Sequence, residues 1–186
     1  MSVTTSNLVM GPATIYFGAF GATEPDPTNI NTTPAASAWT DLGGTMDGAE
    51  WSISQTYTDL QVDQLVDKVG ARLTGRDVQL TTNLAEITLS NLAFILNDGT
   101  TASGANYKTY TPNFATSATQ PTYHALLMDG FGPNQERRRV IMRRCLSTKG
   151  TKIPYSKSKQ TMTPVTWDAY YVSNSIASFV IIDEAD

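Results

Sequence analysis

Acid–base or nucleophilic chemistry needs a histidine, thiol, hydroxyl or carboxylate held beside a partner, and this chain of 186 residues offers one histidine and one cysteine. His124 falls in an alternating stretch with Leu126 and Met128 on its own side, the pattern of a strand position without chemistry rather than of a poised base. Cys145 follows Arg143 and Arg144, whose charge could lower a thiol pKa, yet the apolar-basic run around it reads as a core or edge position. A single cysteine excludes an internal disulfide framework and any multi-cysteine metal site. Gly130-Phe131-Gly132 precedes no helical pattern, and neither G-K-[ST] nor G-x-S-x-G occurs. No particular pair of carboxylates is marked for glycoside chemistry. No catalytic set, cofactor or metal is expected.

The acids carry more information. Asp59, Asp63 and Asp67 recur at every fourth position in DLQVDQLVDK. A helix would gather them on one face but scatter Leu60, Val62, Leu65 and Val66 around the cylinder. A strand puts Asp59, Gln61, Asp63, Leu65 and Asp67 on one side and Leu60, Val62, Gln64, Val66 and Lys68 on the other, which separates polar from apolar better. The turn glycine and spacing of a calcium loop are absent. Two readings stay open: a solvated strand face, or an acidic wall presented to something that must not adhere.

Charge is segregated along the chain. Residues 1–136 carry thirteen acids and four bases, 137–159 carry nine bases and no acid, and 160–186 carry four acids and no base. The run Arg137-Arg138-Arg139-Val140-Ile141-Met142-Arg143-Arg144 would show arginine on both sides of a strand and interleaves no aromatic platform. Together with a formal net charge of −4, this argues against bulk binding of nucleic acid. Segregation suits a surface that meets an acidic neighbour. If that neighbour is another copy, head-to-tail contact gives a closed ring or an open filament.

The elements that would position these residues are mostly strands. The length suits one domain spanning 1–186, charged residues are only 16% of the chain, and threonine alone fills 27 positions. β-Branched threonine suits a pleated, half-exposed face. Alternation predicts strands over 12–20, 39–43, 50–57, 59–68, 73–82, 122–131, 137–148, 159–172 and 176–182. Pro25, Pro27 and Pro34 mark 21–38 as a loop, and the Thr/Ala/Ser/Gly-rich stretch 99–119 reads as a surface excursion around Tyr107–Tyr110. One helix is expected over about 84–97. Asn83 would cap it with Glu86 reaching back, Ala85, Leu89, Leu92, Ala93 and Leu96 would form its stripe, and Asn97-Asp98-Gly99 would stop it.

No basic residue precedes Lys68, so the first twenty residues lack the basic region of an export signal, and no apolar run approaches the ~20 residues that span a bilayer. Synthesis in the cytoplasm, with no membrane partner, is the expectation.

Three segments taken together resemble a known family. They are Trp39-Thr40-Asp41-Leu42-Gly43-Gly44-Thr45, the double-strand run 50–68 with Gln64 after Asp63, and LTGRDVQLTTNLAEITLSNLAFIL over 73–96. Their order is a Gly-rich turn, an extended hairpin, a strand holding an Arg-Asp pair, and a capped helix. In this they resemble the major tail tube protein of long, non-contractile-tailed bacteriophages, over about residues 39–97. The insertion at 99–119 and the basic strand have no counterpart in the resemblance.

The resemblance implies a mainly β fold, a β-sandwich or split barrel of two sheets flanked by one helix. A long hairpin, about 50–68, would join those of neighbouring copies in a shared inner β-barrel. It also implies a virion protein made in the host cytoplasm. Six copies would form a ring, and rings would stack into a tail tube around a tape-measure protein, bounded by tail-terminator or tail-tip proteins. Double-stranded DNA would later pass through without specific binding. On that reading Asp59, Asp63 and Asp67 face the lumen, and Arg137, Arg139, Arg143 and Arg144 form an inter-subunit or inter-ring surface opposite the acids of 41–86. The competing reading is a β-sandwich binding module for a receptor or carbohydrate, with Trp39, Trp51 or Trp167 exposed as a stacking platform.

Overall fold

The computed structural model describes residues 3–97, 99–113 and 120–185. Among these, the elements run β1 (Thr14–Ala19), β2 (Thr40–Asp41), β3 (Thr45–Leu60), β4 (Gly70–Leu84), α1 (Leu89–Ile95), β5 (Thr100–Ser103), β6 (Lys108–Thr111), β7 (His124–Phe131), β8 (Arg137–Ser147), β9 (Thr163–Ala169) and β10 (Phe179–Asp183). One antiparallel sheet follows the order β2-β1-β7-β8-β9-β4-β3, and β5 pairs β6 in a separate hairpin. The main sheet forks at β8. On the edge away from β7, residues 138–142 of β8 pair with β10 and residues 145–147 pair with β9. The fold is therefore mainly β, with two sheets and one helix, and no barrel closes among the described residues.

The apolar centre of β8 explains why it forks there. Val140, Ile141 and Met142 are all buried, as are Ala125, Leu126 and Leu127 on β7, so both faces of this strand pair need cover. One face packs with Ile15, Leu42, Leu80, Leu84, Val165, Trp167 and the helix residues Phe94 and Ile95. The ring of Phe94 stacks on Phe17 with centroids 4.4 Å apart and on Trp167 at 5.6 Å. The other face packs Leu127 and Ile141 against Trp39, with Val180 and Ile182 of β10 leaning on it.

The helix is shorter than the expected 84–97 and is capped elsewhere. Asn83 and Leu84 stay in β4, paired with Met46 and Thr45 on one side and with Pro164 and Thr163 on the other. Thr88 is the cap instead, its hydroxyl accepting from the Asn91 N–H at 3.1 Å. Glu86 does reach back, but to the Gly44 N–H at 2.9 Å rather than to a helix terminus. That carboxylate lies against Gly43, whose φ of +82° and lack of Cβ leave room for it. The Asp98 of the expected stop signal and residues 114–119 of the 99–119 excursion lie outside the described residues. The rest of that excursion forms the β5–β6 hairpin, with Tyr110 in β6.

Strand prediction also erred at 59–68. The strand β3 runs unbroken to Leu60, and residues 61–69 are the connection to β4, closed where Val69 N–H donates to the Leu60 carbonyl at 2.9 Å. Period two persists in DLQVDQLVDK through Leu60, Val62 and Val66, yet Val62, Leu65 and Val66 are all exposed and none packs as a strand side chain would. The hairpin is thus β3–β4, longer than expected on both sides of its turn.

Candidate assembly surface: the arm and the basic strand

In an antiparallel pair, residues opposite one another share a face, so register decides what each side of the β3–β4 hairpin presents. Trp51↔Leu80, Ile53↔Val78, Gln55↔Arg76, Tyr57↔Leu73 and Asp59↔Ala71 lie on one face. Glu50↔Thr81, Ser52↔Gln79, Ser54↔Asp77, Thr56↔Gly75, Thr58↔Arg72 and Leu60↔Gly70 lie on the other. An extra residue in β4, Thr74, bulges between Gly75 and Leu73, and its hydroxyl donates to the Thr56 carbonyl at 3.2 Å. A second irregularity sits at Asp47-Gly48, where both residues have positive φ.

The first face begins in the core and ends in water. Leu80 and Val78 are buried, but Ile53 is 42% exposed, Tyr57 55% and Leu73 39%. Among the described residues no element covers this outer half of the hairpin, and β3 is also the free edge of its sheet. A long strand pair with a half-exposed apolar stripe and an unpaired edge leaves both apolar side chains and backbone groups uncovered. The second face is a field of hydroxyls with Glu50, Asp77 and Arg72 among them.

The three acids singled out from the sequence are not brought together on one face. Asp59 lies at the end of the apolar face and is ion-paired to Lys68. Asp63 and Asp67 are exposed in the 61–69 loop. Sequence reasoning missed the Ser52, Ser54, Thr56, Thr58 row as a feature, although the alternation of 50–57 had already put Ser and Thr on one side.

The arginines of β8 spend their donors inside the protomer. Arg139 is 1% exposed and gives its terminal nitrogen to the carbonyls of Ile30 and Thr32 and to Asp129 Oδ2, at 2.9, 3.0 and 3.1 Å. It thereby ties the 21–38 loop to the sheet. Arg138 holds Asp183 through two 2.6 Å bonds, and Arg143 holds Glu24 at 2.5 and 3.0 Å. Arg144 lies over the Tyr123 ring, 3.8 Å from its centroid, and donates to the Tyr171 carbonyl. Arg137 stands 3.9 Å from Asp129 Oδ1. Of the four arginines expected on an inter-copy surface, Arg139 faces inward, and Arg137, Arg143 and Arg144 are half-buried.

His124 is half-buried, edge-on to Phe94 with ring centroids 4.9 Å apart. Cys145 is fully buried with its thiol directed at the His124 carbonyl, and burial raises its pKa well above the ordinary thiol range. The neighbouring guanidiniums are engaged elsewhere, Arg143 with Glu24 and Arg144 with the Tyr123 ring, and burial alone sets the direction of the thiol's shift. Native protein is expected to leave a thiol reagent such as dithionitrobenzoate unreacted, and denatured protein to release one equivalent; rapid native labelling would contradict this burial. Trp39 and Trp167 are buried and Trp51 is half-buried against Phe179, so none forms the open platform that a sugar-binding reading requires.

A family model described as phage tail tube protein matches residues 2–185, nearly the whole chain. The chain belongs to the phage tail tube proteins. No curated protein matches it. As a tail tube protein it is a structural component of the virion tail.

One surface pair of this tail tube protein gives a pH signature. The hydrogen bonds from Arg138 hold the Asp183 carboxyl below its usual range. A carboxyl depressed in the folded state stabilises the fold above its unfolded pKa of ~3.9, and that contribution is lost as pH falls through the lower folded value. Asp183→Asn is therefore expected to lower stability at neutral pH by under about 1 kcal/mol, since the pair is partly solvated. The difference from wild type should shrink below pH ~4. Denaturant titrations at the two pH values check this.

Proposed function

We propose that copies of this protein join arm to arm into rings, and that stacked rings form the tail tube. Six copies per ring follow the resemblance to long-tailed phage tube proteins. The observation that carries the reading is the apolar stripe Ile53–Tyr57–Leu73, continuous with the core yet uncovered. A neighbour's hairpin supplies both the missing cover and the missing edge partner for β3.

The stripe then turns outward and the hydroxyl face inward. Ser52, Ser54, Thr56 and Thr58 would line the bore with Glu50 and Asp77, while Asp63 and Asp67 stand at its rim. A hydroxyl wall with net negative charge gives a duplex, one charge per ~1.7 Å, no counterion-release binding, so DNA slides rather than adheres. The same bore would house a tape-measure protein before ejection, with tail-terminator and tail-tip proteins at the two ends.

Electron microscopy of the concentrated protein tests the proposal. Rings or tubes support it; a monodisperse monomer at all concentrations, even when tail-tip proteins are added as initiators, contradicts it. Glu50→Arg with Asp77→Arg should leave tubes intact and slow DNA delivery in infected cells, and unchanged delivery would remove these acids from the bore.

A further inference from the structure

The basic strand β8 is matched within the protomer, whereas two groups of exposed like charge without an ion pair among the described residues lie at opposite ends of the molecule. Each arginine of β8 has a partner within the copy. By contrast, among the described residues no ion pair takes Lys149, Lys152, Lys157 or Lys159, all exposed in a connection that contains no acid. The same holds for Asp63 and Asp67.

Topology puts these groups at opposite ends. The strand β8 ends at Ser147, opposite Trp167, and β9 begins at Thr163, opposite Leu84, so 148–162 hangs from the base of β4. Asp63 and Asp67 lie beyond Gly70, at the far end of that strand. The 15 residues of this strand are 14 steps of ~3.3 Å, which separates base from tip by about 45 Å. The lysines therefore cannot reach the tip of their own arm.

We propose that the lysine loop 149–159 of one copy seats on the tip loop 61–69 of a second copy, head to tail, with Lys149, Lys152, Lys157 and Lys159 facing Asp63 and Asp67. This rests on the reading of the chain as a self-assembling tube subunit and deepens it, because it names the contact that stacks one ring on the next. The two surfaces differ, so the contact is heterologous and propagates instead of closing a dimer. Single exposed ion pairs are weak, and the contact gains strength by repetition around a ring. Like ends repel, which sets the polarity of stacking.

Zero-length carbodiimide cross-linking of the assembled full-length protein, read by mass spectrometry, tests this. The expected product joins a lysine of 149–159 to Asp63 or Asp67, and the separation within one copy means that it links two copies. Converting the four lysines to glutamate should cut sedimentable assembly at ~0.15 M salt about tenfold or more, with circular dichroism and melting unchanged. Adding Asp63→Lys and Asp67→Lys to that variant should restore it. Tubes that form without the cross-link, or a lysine variant that stacks like wild type, would overturn this inference and leave the tube reading standing. Wild-type protein that never associates would overturn both. Loss of duplex DNA retention without loss of stacking would assign the loop to nucleic acid instead.

Discussion

Arg139→Met is expected to remove about 3–5 kcal/mol of stability, because it strands Asp129 as an unpaired buried charge. Asp129 is 5% exposed, and its other oxygen has only Arg137, 3.9 Å away. The same substitution frees the Ile30 and Thr32 carbonyls, so the 21–38 loop loses its tie to the sheet. Against a total stability of ~5–15 kcal/mol, a loss of this size is a large fraction of the whole. For a chain of this length each 1 kcal/mol moves the melting temperature by about 2–4 °C, so a drop on the order of 10 °C is expected. Asp129→Asn in the Arg139→Met background should recover much of it, since a neutral amide is far less costly to bury. A melting temperature within a degree or two of wild type would show that Arg139 is not the anchor described.

The arm gives the opposite pattern. Ile53→Asp with Tyr57→Asp alters side chains that the lone protomer leaves about half exposed, so monomer stability should fall by only about 1–2 kcal/mol. Assembly should fail. Covering the exposed half of each such side chain is worth about 1 kcal/mol, and every 1.4 kcal/mol is tenfold in association, so losing the two contacts together weakens each junction by ~10-fold or more. Ser54→Ala with Thr56→Ala, on the hydroxyl face, should leave tubes intact. Sedimentation and electron microscopy separate these outcomes. Equal loss of tubes from both pairs of substitutions would mean that the two faces have been assigned the wrong way round.

Much of this fold was legible from alternation alone, and the failures have specific causes. The strand over 50–57 showed its two faces in sequence, with Trp51, Ile53 and Tyr57 opposed to Ser52, Ser54 and Thr56. Residues 61–69 misled because a loop at the tip of an arm kept an alternating pattern without any core to pack against. Asn83 and Glu86 carried a sound capping signature, but the pairing of β4 with both β3 and β9 outweighed one turn of helix. The acids could not be placed because three residues at four-residue spacing straddle the end of a strand, and the turn between Asp59 and Asp63 left no strong signal. The basic run read as one surface because its partners Glu24, Asp183 and Glu184 are remote in sequence and Asp129 meets it only through the β7–β8 pairing.

The central claim is that neighbouring copies complete the β3–β4 arm and turn its hydroxyl face to a common channel. A cryo-electron-microscopy reconstruction of the assembled tube measures this directly. The account predicts Ser52, Ser54, Thr56 and Thr58 lining the channel, with Ile53, Tyr57 and Leu73 sealed against the wall and β3 paired to the next copy. An arm folded onto its own body, or an apolar stripe facing the channel, would contradict it.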